Sequence, residues 1–353
     1  MSASDYAIVV GVQRYPSFGR TAKDSYDLQG PDNDARAVAD WLTDPDGGAL
    51  PPENVRMVSS ARYPNPFGGP DTVGPKQGDV AGAFRWLEDI AQRNNRRIDG
   101  PGLTVGDRLY LYMSGHGYAK RRQEAAVFTA NATRSRLWHV EASRWAEWFY
   151  QAEYFKEYVV WMDCCMNPDL RIRPGPVGYR DVVPSASPPL FSAFAARYPG
   201  QAVEALQDDG VYHGAFTWAL LKGLRSAVDE NGAITSHSLK GYLVNAMQSF
   251  MTDEQKRDER VSTEPDFGSE DDIVFARPPE PAFDVTLTVP AQAVGHRYRI
   301  VTGSPPRSVK TGTVPGPRFK VKLPNGLYVA SVAAAKLTAG IEVIGVDGHA
   351  SLG

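Results

Sequence analysis

The chain has only two cysteines in 353 residues, and they are neighbours, Cys164 and Cys165. Adjacent thiols cannot staple distant segments, which excludes a disulfide-framed secreted scaffold, and a bridge between the two themselves would be strained. Net charge is nearly absent as well: 38 Lys and Arg stand against 41 Asp and Glu. That balance argues for neither a nucleic-acid partner nor a membrane surface. Long apolar runs are missing, since no stretch approaches the roughly 20 residues needed to span a bilayer. The residues from Met1 to Tyr6 carry no basic stretch ahead of the short apolar run that follows, so this reads as a first strand rather than an export signal. There is no phosphate loop, no dinucleotide fingerprint and no internal repeat. His139, His213, His237, His296 and His349 are scattered without ligand spacing, so no metal or other cofactor is expected, and His213, ahead of a helix, reads as a capping or surface residue. The expectation is a cytoplasmic protein in a reducing compartment.

What is present is an alternation of apolar strand-like runs and helical periodicity. Tyr6 to Val10, Val55 to Val58, Arg108 to Met113, Val159 to Met162 and Leu190 to Ala195 read as buried strands. Asp32 to Leu42, Val80 to Ile90, Val140 to Phe155, Ala215 to Leu224 and His237 to Phe250 read as amphipathic helices, and Ile273 to Ala276 as a last short strand. Two loops rich in Gly, Pro or Arg interrupt them, Tyr63 to Gly78 and Asn167 to Pro189. This pattern predicts an α/β unit with a mostly parallel sheet and helices on both faces, over residues 1–277. A Pro-rich linker at 278–283 follows. Residues 284–353 then hold five short β-like runs, Val285 to Val289, Tyr298 to Thr302, Phe319 to Leu323, Tyr328 to Val332 and Ile341 to Val346, with a turn at Pro324-Asn325-Gly326. They predict a small C-terminal all-β sandwich. From Pro279 onward there are 8 Lys and Arg against 4 Asp and Glu, so this part is basic and the rest acidic.

Two strands stop abruptly at reactive residues. Leu109-Tyr110-Leu111-Tyr112-Met113-Ser114-Gly115-His116-Gly117 delivers an imidazole, and Val159-Val160-Trp161-Met162-Asp163-Cys164-Cys165 delivers a thiol. A thiol is only a few per cent thiolate at neutral pH, so a nucleophilic cysteine needs a base beside it. His116 can take that proton and return it to a leaving group, and the flanking glycines let a substrate backbone come close. Strand side chains alternate faces: Trp161, Asp163 and Cys165 share one parity, while Val160, Met162 and Cys164 share the other. Opposite faces also keep the two cysteines from sharing one zinc ion. Parity alone does not say which thiol reacts.

Taken in order, these segments resemble the bacterial caspase-like and metacaspase-like cysteine peptidases. Ala7-Ile8-Val9-Val10-Gly11-Val12-Gln13-Arg14-Tyr15 is similar to that family's first strand, and Leu28-Gln29-Gly30-Pro31-Asp32-Asn33-Asp34-Ala35 to the start of its first helix. Ser114-Gly115-His116-Gly117 resembles its histidine motif and Asp163-Cys164-Cys165 its Asp-x-Cys motif, with the 49 residues between His116 and Cys165 close to the roughly 50 of caspases. Ala215 to Leu224, followed by Ile234-Thr235, resembles its C-terminal portion. The resemblance runs from about Tyr6 to Ala276 and does not cover the β domain. Where the family usually has His-Ser-Gly after the nucleophile, Met166-Asn167-Pro168 stand here.

The resemblance implies a caspase-like fold and peptide-bond hydrolysis of a protein or peptide substrate. It implies Cys165 as nucleophile, Cys164 as inert core, His116 as general base, and the N–H groups of Gly117 and Cys165 as the oxyanion hole. It implies Asp34 and Asp163 in the pocket for the residue before the cut, where two carboxylates favour Arg or Lys. Asp34 has the alternative role of answering the dipole of its helix. Arg171, Arg173 and Arg180 in the second loop are either self-processing sites or simply solvated. Relatives act in bacterial defence or regulated cell death, and the β domain would serve a regulatory partner. The competing class is a non-catalytic interaction module with the same fold.

Overall fold

The computed structural model describes residues 3–19, 26–63, 72–121, 124–167, 187–277, 282–303, 305–324, 326–343 and 347–353. Arg171, Arg173 and Arg180, residues 64–71 of the first loop, residues 278–281 of the expected linker and Asn325 of the expected turn lie outside the described residues.

Residue contacts divide the chain into two units, Met1–Pro278 and Pro279–Gly353. In chain order the first contains β1 (Tyr6–Gly11), α1 (Pro31–Thr43), β2 (Val55–Ser59), α2 (Gln77–Asn95), β3 (Gly106–Ser114), the short strands β4 (Gly117–Ala119), β5 (Ala125–Phe128) and β6 (His139–Val140), and α3 (Ala142–Gln151). Then follow β7 (Phe155–Asp163), β8 (Leu190–Phe194), the pair β9 (Glu204–Leu206) and β10 (Tyr212–Gly214), α4 (Ala215–Ser226), β11 (Ile234–Thr235), α5 (Ser236–Ala246), α6 (Asp253–Arg257), β12 (Asp266–Glu270) and β13 (Val274–Ala276). Six of these strands form the central sheet in the order β12-β8-β7-β3-β1-β2. Every neighbouring pair in it is parallel except β12 with β8.

The sheet is covered on both faces, which is why its strands are apolar without alternation to polar residues. Ile8, Val10, Leu111, Met113, Val160 and Met162 point to a core closed by α2 and α3. Ala7, Val9, Tyr110, Tyr112, Val159 and Trp161 point to the opposite core, closed by α1, α4 and α5. The α/β architecture expected from the alternating pattern is therefore the one present.

Local departures have physical reasons. The aromatic stretch expected as one helix from Val140 to Phe155 is helical only over Ala142–Gln151. Val140 pairs with Val127 in a ladder, and Glu153 takes a left-handed conformation that turns the chain into β7. The helix expected to reach Phe250 ends at Ala246 and continues as a 3₁₀ turn. Ile273 to Ala276 supplies a strand that pairs with β11 rather than joining the central sheet. The sixth position of that sheet is taken by β12, whose sequence Asp-Phe-Gly-Ser-Glu has a single large apolar residue and gives no strand signal.

The second unit contains β14 (Ala282–Thr288), β15 (Arg297–Thr302), β16 (Arg307–Thr313), β17 (Arg318–Pro324), β18 (Gly326–Val332), β19 (Leu337–Val343) and β20 (Gly348–Ser351). They form two sheets, β17-β14-β20 and β16-β15-β18-β19, around a shared core that includes Val285, Leu287, Ile300, Val321, Ala330 and Ile341. The first strand absorbs Ala282 and Phe283, which pair with Pro324 and Leu323. Strand β16 escaped the sequence reading because nearly all its residues are exposed and show no apolar alternation. Among the described residues no helix is long and apolar enough to cross a membrane.

Candidate active site

The parallel register brings the two reactive strand ends together. β3 and β7 are neighbours, with Ser114 opposite Asp163, and His116 and Cys165 each follow two residues later. Both line one cavity of about 520 Å³. It opens at the carboxyl edge of the sheet, where open α/β sheets bind ligands. Asp34, Asp163, Gly117 and Glu204 line the same cavity.

Parity separates the cysteines. Cys164 is 1% exposed and packs with Val160 and Met162 in the core under α2 and α3. Cys165 is half-buried, and its Sγ lies 3.7 Å from the Ala202 carbonyl oxygen. Burial pushes the Cys165 thiol up from its usual range, and the nearby Asp163 charge adds to that. The thiol therefore rests protonated at neutral pH and would need a base to become a nucleophile.

His116 is held on three sides. Its backbone N–H donates to the Tyr15 hydroxyl at 2.9 Å, that hydroxyl donates to the Phe128 carbonyl at 3.3 Å, and the Tyr15 ring lies 4.8 Å from the imidazole. Its Nε2 lies 2.7 Å from the Tyr26 carbonyl oxygen. A carbonyl only accepts, so Nε2 carries the proton and Nδ1 is the basic nitrogen of the neutral ring. Burial lowers the imidazole pKa below its ordinary value, which keeps the ring neutral and able to accept a proton.

Gly117 opens β4 beside the cysteines. A Cβ there would stand 2.5 Å from Cys164 Cβ and 2.7 Å from its Sγ, so only glycine lets the two strand ends approach this closely. Among the described residues the Cys165 N–H, beyond the end of β7, meets no acceptor.

The carboxylates form the other side of the cavity. Asp34 is 1% exposed and sits in the first turn of α1. Its Oδ1 lies 2.7 Å from His213 Nδ1, and its Oδ2 accepts from Gly214 N–H at 3.1 Å and from Ser114 Oγ at 3.3 Å. Asp163 Oδ2 accepts from Thr217 N–H at 3.0 Å and from Thr217 Oγ1 at 2.6 Å. The Tyr112 hydroxyl, 2.6 Å from that Oγ1, supplies the next proton in the chain. Gly214 and Thr217 both belong to the start of α4, whose unpaired N–H groups and dipole favour negative charge there. Even so, burial raises Asp34 to about 6 against the bonds it accepts. Burial and repulsion from Asp34 raise Asp163 to about 7. Glu204 joins them from β9, its oxygens accepting from Gln29 and Gly30 N–H at 2.8–3.0 Å.

Asp34 thus has both properties considered for it: it stands in the first turn of its own helix and it faces the cavity. His213 corrects the sequence reading. It is 3% exposed, bonded to Asp34 and, through Nε2, to Asp209 at 3.0 Å, and is neither a surface nor a capping residue. Sequence reasoning also passed over Tyr15, Tyr26, Glu204 and Thr217. None stands in a reactive motif, and three of them, Tyr15, Tyr26 and Thr217, act through backbone or hydroxyl atoms. Among the described residues no three His, Cys, Asp or Glu side chains group as a metal site.

No family model matches the chain. A probable protease from a Desulfuromonadales bacterium is 28% identical over 227 residues, which cover 63% of this chain and 26% of that protein. The chain thus spans about a quarter of the length of that curated relative. Among solved structures, caspase-1 from Spodoptera frugiperda aligns over 78% of this chain and 90% of its own at 13% identity and a TM-score of 0.45. Its pro-form aligns over 75% and 91% at 15% identity and a TM-score of 0.41. The chain is similar in sequence to a protein named a probable protease, and two of the solved structures it aligns with are those of caspases.

Proposed function

We propose that this chain is a caspase-like cysteine endopeptidase that cuts after Arg or Lys. The observation that carries the reading is the shared cavity. A half-buried thiol and a neutral imidazole come from adjacent parallel strand ends, and three carboxylates line the same space with, among its described lining residues, no Lys or Arg.

In this reading Cys165 Sγ attacks the scissile carbonyl carbon while its proton passes to His116 Nδ1. The imidazolium then protonates the departing amine nitrogen as the C–N bond breaks, leaving a thioester. Water adds to the thioester, gives a proton to His116, and the thiol is restored as the acid leaves. The N–H groups of Gly117 and Cys165 would hold the oxyanion. Asp163 and Asp34, with Glu204 lining the same cavity, would meet the cationic side chain by charge-assisted hydrogen bonds. A regulatory partner for the β unit and a role in bacterial defence extend the same reading and rest on the resemblance alone.

A fluorogenic peptide panel with Arg, Lys, Asp or Leu before the cut tests it. Arg and Lys peptides should be cleaved, Cys165→Ala should lose at least about 10³-fold in kcat, and Cys164→Ala should stay within about tenfold. Cleavage that survives Cys165→Ala but not Cys164→Ala would reverse the nucleophile. A folded protein with no turnover and no covalent trapping by a thiol-reactive peptide would favour a non-catalytic interaction module.

A further inference from the structure

The ring of His213 lies between two carboxylates from different elements. Nδ1 is 2.7 Å from Asp34 of α1, and Nε2 is 3.0 Å from Asp209 of the turn between β9 and β10. The ring is also stacked on Trp218 of α4, with centroids 4.5 Å apart and planes 22° from parallel. A neutral imidazole donates from one nitrogen only, whereas two ionised carboxylates both require a donor. The geometry is therefore that of an imidazolium bridging two anions, made rigid by an aromatic face.

This bears on the pocket because Asp34 and Asp163 are both buried at the start of α4. Two ionised carboxylates in one buried site repel, and the usual relief is for one to hold a proton. A protonated Asp34 would present an O–H to the cavity and compete with a cationic ligand for acceptors. A cation fixed behind Asp34 favours its ionised form and keeps its plane in place.

We propose that His213 is a specificity-determining residue, which holds Asp34 ionised and oriented for the guanidinium or ammonium of the residue before the cut. The proposal rests on the basic-residue reading above. It assigns His213 no part in bond breaking: it touches neither the thiol nor His116, and it acts through Asp34.

The test compares two peptides that differ only at the residue before the cut, one with arginine and one with citrulline, its neutral isostere. The quantity read is the ratio of their kcat/KM values, which does not depend on the fraction of folded enzyme. His213→Ala is expected to raise KM for the arginine peptide about tenfold, the equivalent of about 1.4 kcal/mol, with a smaller change in kcat and little change for citrulline. His213→Asn puts an N–H donor where Nδ1 stands, and should return the ratio to within about threefold of wild type. If both variants lower the two peptides in equal proportion, or leave the ratio unchanged while wild type prefers arginine, His213 is structural and the inference fails while the basic-residue reading stands. If wild type itself shows no preference for arginine over citrulline while cleaving through Cys165, the basic-residue reading fails and takes the inference with it.

Discussion

The two sides of the cavity are tied down to very different degrees. Among the described residues Cys165 Sγ has a single hydrogen-bond contact, to the Ala202 carbonyl at 3.7 Å, and His116 Nδ1 meets no partner. Across the cavity Asp34 is bonded to His213, Gly214 and Ser114, and Asp163 accepts both donors of Thr217. A group that must exchange a proton and change bonding partners is hindered by strong fixed contacts. A group that only recognises charge gains from being fixed before the ligand arrives. Burial acts on both sides, with opposite consequences. It keeps the thiol and imidazole neutral and ready for proton transfer, and it makes the ionised carboxylates costly to hold.

The largest expected effect that would break this contrast comes from Gly214→Ala. The new Cβ would stand 2.0 Å from Asp163 Oδ2 and 2.7 Å from its Cγ. The backbone there, at φ −60° and ψ 134°, suits alanine, so the contact and not strain is at issue. The carboxylate must move, and kcat/KM for an arginine peptide should fall by about 100-fold or more, about 2.7 kcal/mol. Near wild-type kinetics would show that the fixed position of Asp163 is unimportant.

Asp163→Asn should have an intermediate effect that separates recognition from stability. Losing the charge should cut the preference for arginine over citrulline roughly tenfold. Stability should move the other way. The folded pKa of Asp163 is raised, so the folded state binds the proton more tightly, and stability is lost as pH rises from the unfolded value near 4 through about 7. The amide does not ionise, so thermal melts should place the variant about 2–4 °C above wild type at pH 8, with the gap closing as pH falls toward 4. A variant less stable at pH 8 would mean that the carboxylate is a structural anchor first.

The smallest effect is in the pH profile. In the proposed mechanism His116 accepts the thiol proton and must be unprotonated, and its lowered pKa puts that transition below 6.5. The raised thiol leaves no second transition until the alkaline range. Hydrolysis of a citrulline peptide should therefore follow that single transition and stay flat above it up to the alkaline range. An arginine peptide should gain a further few-fold in kcat/KM between pH 6 and 8, as Asp34 and Asp163 ionise from about 6 and about 7. Superimposable profiles would detach the carboxylates from substrate binding.

Much of the frame was legible because strands buried on both faces must be apolar throughout. Tyr6 to Val10, Arg108 to Met113 and Val159 to Met162 declared themselves in this way, as did the helices that cover them. Strands with other reasons to exist were not legible. β12 is ordered by pairing with β8 at a sheet edge and buries just one apolar side chain, Phe267, and β16 is ordered by pairing with β15 while its own side chains stay exposed. His213 was misread for a related reason. Its role is set by carboxylates 179 residues before it and 4 residues before it, and only the nearer lies within the reach of local pattern.

The sequence by itself determined the chemistry available: one imidazole and one pair of thiols at strand ends, a carboxylate beside the thiols, and a strand alternation that sends Cys164 and Cys165 to opposite faces. Those are local properties of covalent order and backbone period. Only the tertiary structure decided which groups meet. The parallel register of β3 and β7 turns 49 residues of separation into one cavity. The start of α4 brings Gly214 and Thr217 to Asp34 and Asp163. The desolvation that sets every protonation state in that cavity comes from the closing of two cores around the sheet, and no segment of the chain carries it alone.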